Sequence, residues 1–419
     1  MAITYVTKLA IFLLWAAALF DPTGSLFNLK YIGLAFFAFA LLLNISTNQI
    51  SFRASDPSIV FFLIFFIFLQ SYGLLVGAIR GGLTKEFIDT SYIFSAAFFS
   101  FILLINKKEN FDYSIKTLLL FSSAIGLLII SAYAFTLFDL AHWNYFFLEK
   151  GLAYISERNY GGITLPYIYF IVSPILVFAI CKSTDDVVRK FTPLRLGKLI
   201  FFVISLSLTG TRMNIVFSFI SVLLTFFWLR FGRTGYLYLS FLFLIALFAL
   251  IFADIGVVNS FLDTSEANNN TKLGYLPYYW AELNSPLILI FGQGFNAHTW
   301  SNELQTLLAP GASKLELTYL ELIRIFGAPL GVAFIATIFW FLFSTTRTDP
   351  NSSHWIQPAS LSYVLMATLN PYLFSLDGMM VLATALAYRH HARRAQPFKR
   401  TESSLRSTVT SNPPGTFSA

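Results

Sequence analysis

Apolar residues run almost unbroken for about 16 to 25 positions at a time along most of this chain, separated by short breaks of Pro, Gly, Asn and charged residues. Runs of that length suit α-helices crossing hydrocarbon at about 1.5 Å per residue, whereas barrel strands alternate over about ten residues. The breaks predict spans at 3 to 20, 29 to 45, 58 to 79, 87 to 105, 114 to 138 and 161 to 181 in the first half. The second half adds 198 to 210, 213 to 230, 235 to 256, 315 to 343, 356 to 370 and 373 to 388. The expected fold is all-α, a polytopic transmembrane bundle of about twelve helices, because helices satisfy their own backbone in lipid. No small-residue cleavage motif precedes the Asp21-Pro22-Thr23-Gly24 turn, so the first run is expected to be a retained helix.

Two polar connections are long, 139 to 160 and 257 to 314. The second is expected to hold short amphipathic helices, and its aromatic run from Tyr275 to Trp280 suits the headgroup layer. Residues 1–395 form one integral membrane domain on this reading, and 396–419, rich in Ser, Thr and Pro, a disordered basic tail.

Charge sets the orientation. If the chain starts in the cytoplasm, Arg53, Lys107, Lys108, Lys182, Arg189, Lys190, Arg195, Lys198, Arg230, Arg233, Arg347 and the basic tail all fall in inside loops. Both termini are then cytoplasmic and both long loops lie outside. The net charge of +7 is therefore a topology signal and predicts no nucleic-acid partner. With 56% hydrophobic and only 12% charged residues among 419, the chain cannot cover a soluble surface. The single cysteine, Cys181, excludes an intrachain disulfide and a cysteine metal cluster.

Charges near membrane depth require a reason, and on this topology Arg80, Arg158, Arg212, Lys272, Glu316, Glu321 and Arg324 gather at the outer ends of the helices. Arg212 follows Thr209-Gly210-Thr211 and opens a helix, where free amides, the helix dipole and a guanidinium fork could together grip a diphosphate. The competing reading is an arginine that snorkels to the interface. Glu321 and Arg324, three apart, are expected to form a structural ion pair. Glu316, near the mouth of the same helix, is placed to accept a proton from a hydroxyl, or else to serve as a dipole partner. Gly327, Pro329 and Gly331 predict a kink and a close-packing face. Tyr278, Tyr279 and Trp280 suit interfacial anchoring, with a sugar platform as the sharper alternative. His298 has no second ligand at metal spacing, and Gly292-Gln293-Gly294 reads as a turn. Neither a metal nor a cofactor is expected.

In order along the chain, Thr209-Gly210-Thr211-Arg212, the stretch Lys272 to Gly294, and Glu316 to Gly331 resemble motifs of the O-antigen polymerase and O-antigen ligase superfamily of bacterial inner-membrane proteins. Asn370-Pro371-Tyr372-Leu373-Phe374-Ser375 is similar to a late polymerase segment. Ligases of that superfamily usually carry a histidine where this chain has Glu316, which turns the resemblance toward a Wzy-type polymerase. The resemblance implies a GT-C-like enzyme that joins undecaprenyl-diphosphate-linked oligosaccharides at the periplasmic face, with a polysaccharide chain-length regulator as a partner. Glu316 and Arg212 would be catalytic; Arg158, Lys272, Arg324, Tyr278, Trp280 and His298 would bind substrate. A ligase and a lipid-linked oligosaccharide flippase are the rival readings.

Overall fold

The computed structural model describes residues 2–47, 57–82, 97–138, 145–160, 163–232, 234–238, 267–308, 315–343, 354–368, 370 and 373–394. The helices that organise them are, in chain order, α1 (Ala2–Phe20), α2 (Leu29–Ser46), α3 (Pro57–Ile79), α4 (Lys108–Leu137), α5 (Leu176–Arg189), α6 (Pro193–Ser207) and α7 (Arg212–Phe231). They continue as α8 (Ala267–Leu283), α9 (Pro286–Phe291), α10 (Asn302–Leu307), α11 (Thr318–Phe343), α12 (Ile356–Met366) and α13 (Leu376–Arg394). Strands β1 (Ala153–Tyr160) and β2 (Ile163–Phe170) form one antiparallel hairpin between α4 and α5.

Among the described residues, six helices are long and apolar enough to cross a membrane: α1, α2, α3, α4, α7 and α11. The chain has the character of a membrane protein. Lipid-length runs make these helices, and a few polar side chains join them. The α1–α2 turn is organised by Asp21, whose buried carboxylate accepts from the backbone N–H groups of Leu26, Phe27 and Leu29. Trp15 Nε1 donates to Ser114 Oγ at 2.9 Å and ties α1 to α4. The short α12 and the first turns of α13 are buried almost completely, α12 with α5 and α7 around it and α13 against α12, α1 and α4.

Several expected spans take another form. The run 161 to 181 is not one helix: its first part is β2, a 3-10 turn follows at Ser173–Ile175, and α5 begins at Leu176. β-Branched and aromatic residues dominate Ile163–Phe170, and Pro166 and Pro174 each lack the N–H that a continuous helix needs. The expected span 356 to 370 is the 11-residue α12, far below the roughly 20 residues a crossing helix needs. The expected spans at 235 to 256 and 87 to 105 lie mostly outside the described residues, as do Arg53, Arg233, Arg347 and the tail. The 257 to 314 connection, expected to be polar with short helices, carries the 17-residue α8 and the wholly apolar α9, Pro-Leu-Ile-Leu-Ile-Phe.

Candidate functional site

The interior of the site is built where α11 breaks. Gly327 has φ 80° and ψ 160°, and Pro329 has no N–H, so the carbonyls of Arg324 and Ile325 lose their usual partners one turn on. The segment after α9 supplies replacements: Gln293 N donates to Arg324 O at 2.7 Å and Gly294 N to Ile325 O at 3.0 Å. A methyl group on Gly327 would stand 2.2 Å from Ile290 O, and one on Gly77 of α3 would stand 2.4 Å from Phe295 O. Only glycine allows these approaches. Phe295 N donates to Gly73 O at 2.9 Å, and Tyr72 Oη to Phe291 O at 2.8 Å, which fastens the same segment to α3.

Around this junction lies a dense polar network. Arg324, 2% exposed, donates from Nε to Glu321 Oε2 at 2.8 Å, from Nη2 to Glu321 Oε1, and from Nη1 to Gln293 Oε1 at 2.6 Å. Tyr279 Oη donates to Glu321 Oε2 at 3.1 Å, and Tyr278 Oη to Gln293 Oε1 at 3.3 Å. Gln293 Nε2 donates to Glu282 Oε2 at 2.6 Å. The expected Glu321–Arg324 pair is therefore present, and Arg324 spends its guanidinium on the protein's own groups. A buried pair completed by further hydrogen bonds in this way loses most when one member is removed. Arg80 stands over the ring of Trp300 at 5.9 Å beside this network.

Burial pushes the phenols of Tyr278 and Tyr279 above their ordinary range, with Glu282 and Glu321 adding to the shift and Arg324 opposing it. Glu282 is held above the usual carboxylate range, first by burial and then by Glu303, while Arg324 and the Gln293 bond pull the other way.

A second, wetter grouping sits at the start of α11. Lys272 Nζ lies 3.2 Å from Glu316 Oε2, with side chains 25% and 43% exposed. Lys272 also reaches Asn370 Oδ1 at 3.5 Å, and Thr318 Oγ1 donates to Asn370 O at 2.7 Å. Burial and then Glu316 raise the phenol of Tyr275. Glu316 precedes the helix, which begins at Thr318, so its carboxylate is held from a bend just outside the helix mouth. Unlike the buried pair, this one can be reached by a ligand.

Arg212 opens α7 as expected: Thr211 caps the helix by accepting from Asn214 N at 3.3 Å. Gly210 lies flat against the Tyr167 side chain of β2, so the turn is roofed by the hairpin, and α7 packs on α5, α6 and α12. Arg158 is on β1, opposite Leu165. Thus Lys272 and Glu316 come together, Arg324 and Tyr278 share the buried network, and Arg212 and Arg158 belong to the hairpin region. His298 is half-buried on the turn Ala297–Thr299, and Trp280 is largely exposed on the outer side of α8. Gln293 and Glu282 were not singled out from sequence; a polar residue between two glycines was the available signal for Gln293. Among the described residues no group of three or more His, Cys, Asp or Glu side chains could hold a metal.

No protein-family model matches the chain, no curated protein matches it, and no solved structure matches it.

Proposed function

We propose that this chain is a bacterial inner-membrane polymerase of lipid-linked oligosaccharide repeat units, of the Wzy type that its motifs resemble. In this reading the long apolar helices cross the bilayer, both termini are cytoplasmic, and the Lys272–Glu316 pair faces the periplasm. The observation that carries it is that pair. It unites, in a solvent-reachable spot beside Asn370, three separate stretches whose residues resemble polymerase motifs. Lys107 and Lys108 at the start of α4, Arg189 and Lys190 at the end of α5, and Arg195 in the first turn of α6 lie at the helix ends that this orientation puts inside, which supports it.

The chemistry is a displacement at the anomeric carbon of the growing glycan. The acceptor hydroxyl oxygen bonds to that carbon as the bond to the undecaprenyl diphosphate oxygen breaks. The hydroxyl proton passes to Glu316, and the bonding pair leaves with the diphosphate, whose charge Lys272 offsets; the motif resemblance assigns Arg212 to the same task. The 3.2 Å contact with Lys272 fixes the position of the Glu316 carboxylate beside the place the acceptor hydroxyl would take.

The test is deletion in the native host, complemented by the wild type, Glu316→Ala or Arg212→Ala, with gel analysis of surface glycan and lipid-linked intermediates. The expected outcome is single repeat units at the surface without a ladder in the deletion and in both variants at equal protein level. Finished polymer stranded on its carrier would instead identify a ligase, and repeat units trapped inside a flippase. Undiminished polymer with Arg212→Ala would remove the diphosphate role of that residue.

A further inference from the structure

We infer that the α8–α9 segment is a re-entrant element whose outer side lies in the lipid of one leaflet, with α9 below the headgroup layer. The inference rests on the six apolar helices crossing a bilayer and not on the polymerase reading.

Helix α8 has two apolar sides. Tyr275, Tyr278 and Tyr279 turn inward to the site, while Leu273, Leu276 and Trp280, at helical spacing, are exposed. Helix α9 continues the outward strip: Leu287 is 65% exposed, Ile290 50% and Phe291 51%, and only Ile288 of its six residues is buried. An apolar patch of this extent needs a partner.

Three features identify lipid as the occupant. First, the strip is continuous with the belt of a candidate span: Tyr72 Oη holds Phe291 O, and Phe68, Leu75 and Ile79 of the same α3 are exposed apolar residues. Second, α9 lies deep. It packs against α11 at Gly327, nine residues beyond the start of that helix, which at 1.5 Å per residue is about 13 Å along its axis. Third, the ends of α9 are prepared for a medium without water. Gly292 N donates to Ile288 O at 2.8 Å and Tyr72 to Phe291 O, and the irregular backbone that follows is paired to α11 and α3. Non-helical backbone is tolerated at membrane depth when protein satisfies it in this way. Trp280, 79% exposed, then sits at the level where indoles anchor.

The experiment uses the full chain in proteoliposomes. The lone Cys181 is replaced by Ala, and nitroxide labels are attached to Leu287→Cys, Ile290→Cys, Leu75→Cys on α3 and Gln305→Cys on the exposed side of α10. Collision with dissolved oxygen and with a water-soluble nickel chelate is measured for each label. The expected result is that 287 and 290 match 75, with oxygen favoured, and differ from 305. Labels at 287 and 290 that behave like 305 while 75 remains in lipid would overturn the inference. Chelate access at 75 as well would overturn the membrane reading beneath it. Brominated-lipid quenching of the fluorescence lost in Trp280→Phe gives a second readout that needs no labelling; quenching by bromines near the headgroups is expected, and none would count against insertion.

Discussion

Gln293 is bonded to Arg324 twice, its backbone N–H to the Arg324 carbonyl at 2.7 Å and its side-chain Oε1 to Nη1 at 2.6 Å. One residue thus repairs the broken helix and completes the shell of a buried cation.

Gln293→Ala should therefore cost about 3 kcal/mol, because it takes the acceptor from a buried charged donor and from the Tyr278 hydroxyl. Arg324→Ala should cost about 3 to 5 kcal/mol by leaving the buried Glu321 with the Tyr279 hydroxyl but no cation. Arg324→Lys should recover little of this, since an ammonium cannot reach two acceptors through a planar fork. Cys181 is buried, so the rate at which a thiol-reactive dye finds it on heating in detergent measures each loss.

Gly327→Ala should be strongly destabilising, by about 1 to 3 kcal/mol of backbone strain before the collision with Ile290 O is counted. Gly274→Ala is the control. Nothing stands within 4 Å of a methyl there, and an alanine inside α8 should be neutral or stabilise by up to about 1 kcal/mol. Equal melting of the two variants would contradict the close approach described at Gly327.

Glu282 gives a pH dependence of definite sign. Its folded pKa is raised, so its favourable contribution is complete below the ordinary carboxylate value of about 4.3 and is lost as pH rises through the folded pKa. Glu282→Gln keeps an acceptor for Gln293 and has no charge to desolvate. The variant should match the wild type in melting near pH 4 and exceed it at neutral pH, in a melting series across that range.

The Lys272–Glu316 pair should behave in the opposite manner to the buried one. Lys272→Ala and Glu316→Ala should each melt within about 1 kcal/mol of the wild type, as partly exposed pairs do. Glu316→Ala should nonetheless abolish the polymer ladder. A variant that melts normally and still polymerises would leave the pair without a role in the reaction.

How far the sequence anticipates this structure depends on what surrounds each element. Helices α1, α2, α3 and α7 face an apolar solvent, so their unbroken runs carry the signal directly. Glu321 and Arg324 were legible as a pair because helical spacing alone brings them together. Ile163–Phe170 was not legible as a strand, since its apolar composition also suits a crossing helix and its partners are on β1, from Tyr160 opposite Ile163 to Ala153 opposite Phe170. α12 was drawn too long for a related reason: its neighbours, not lipid, bury it, and apolarity alone cannot distinguish those surroundings. The interior site was least legible. Its bonds join residues far apart in sequence, such as Tyr72 and Phe291, and no local pattern records them.

That separation governs the order in which the molecule can assemble. Gly73 and Gly77 leave the ribosome more than two hundred residues ahead of Phe295, which fills the notch they leave, and the segment from Ile290 to Phe295 precedes the α11 carbonyls it must bond. Contacts at such range form late, after the chain between them has been synthesised and its ends brought together. The buried arginine network is therefore a closing step of biogenesis: until α11 arrives, Gln293 and Gly294 have no carbonyls to bond, and a chain truncated before Thr318 has no way to complete it.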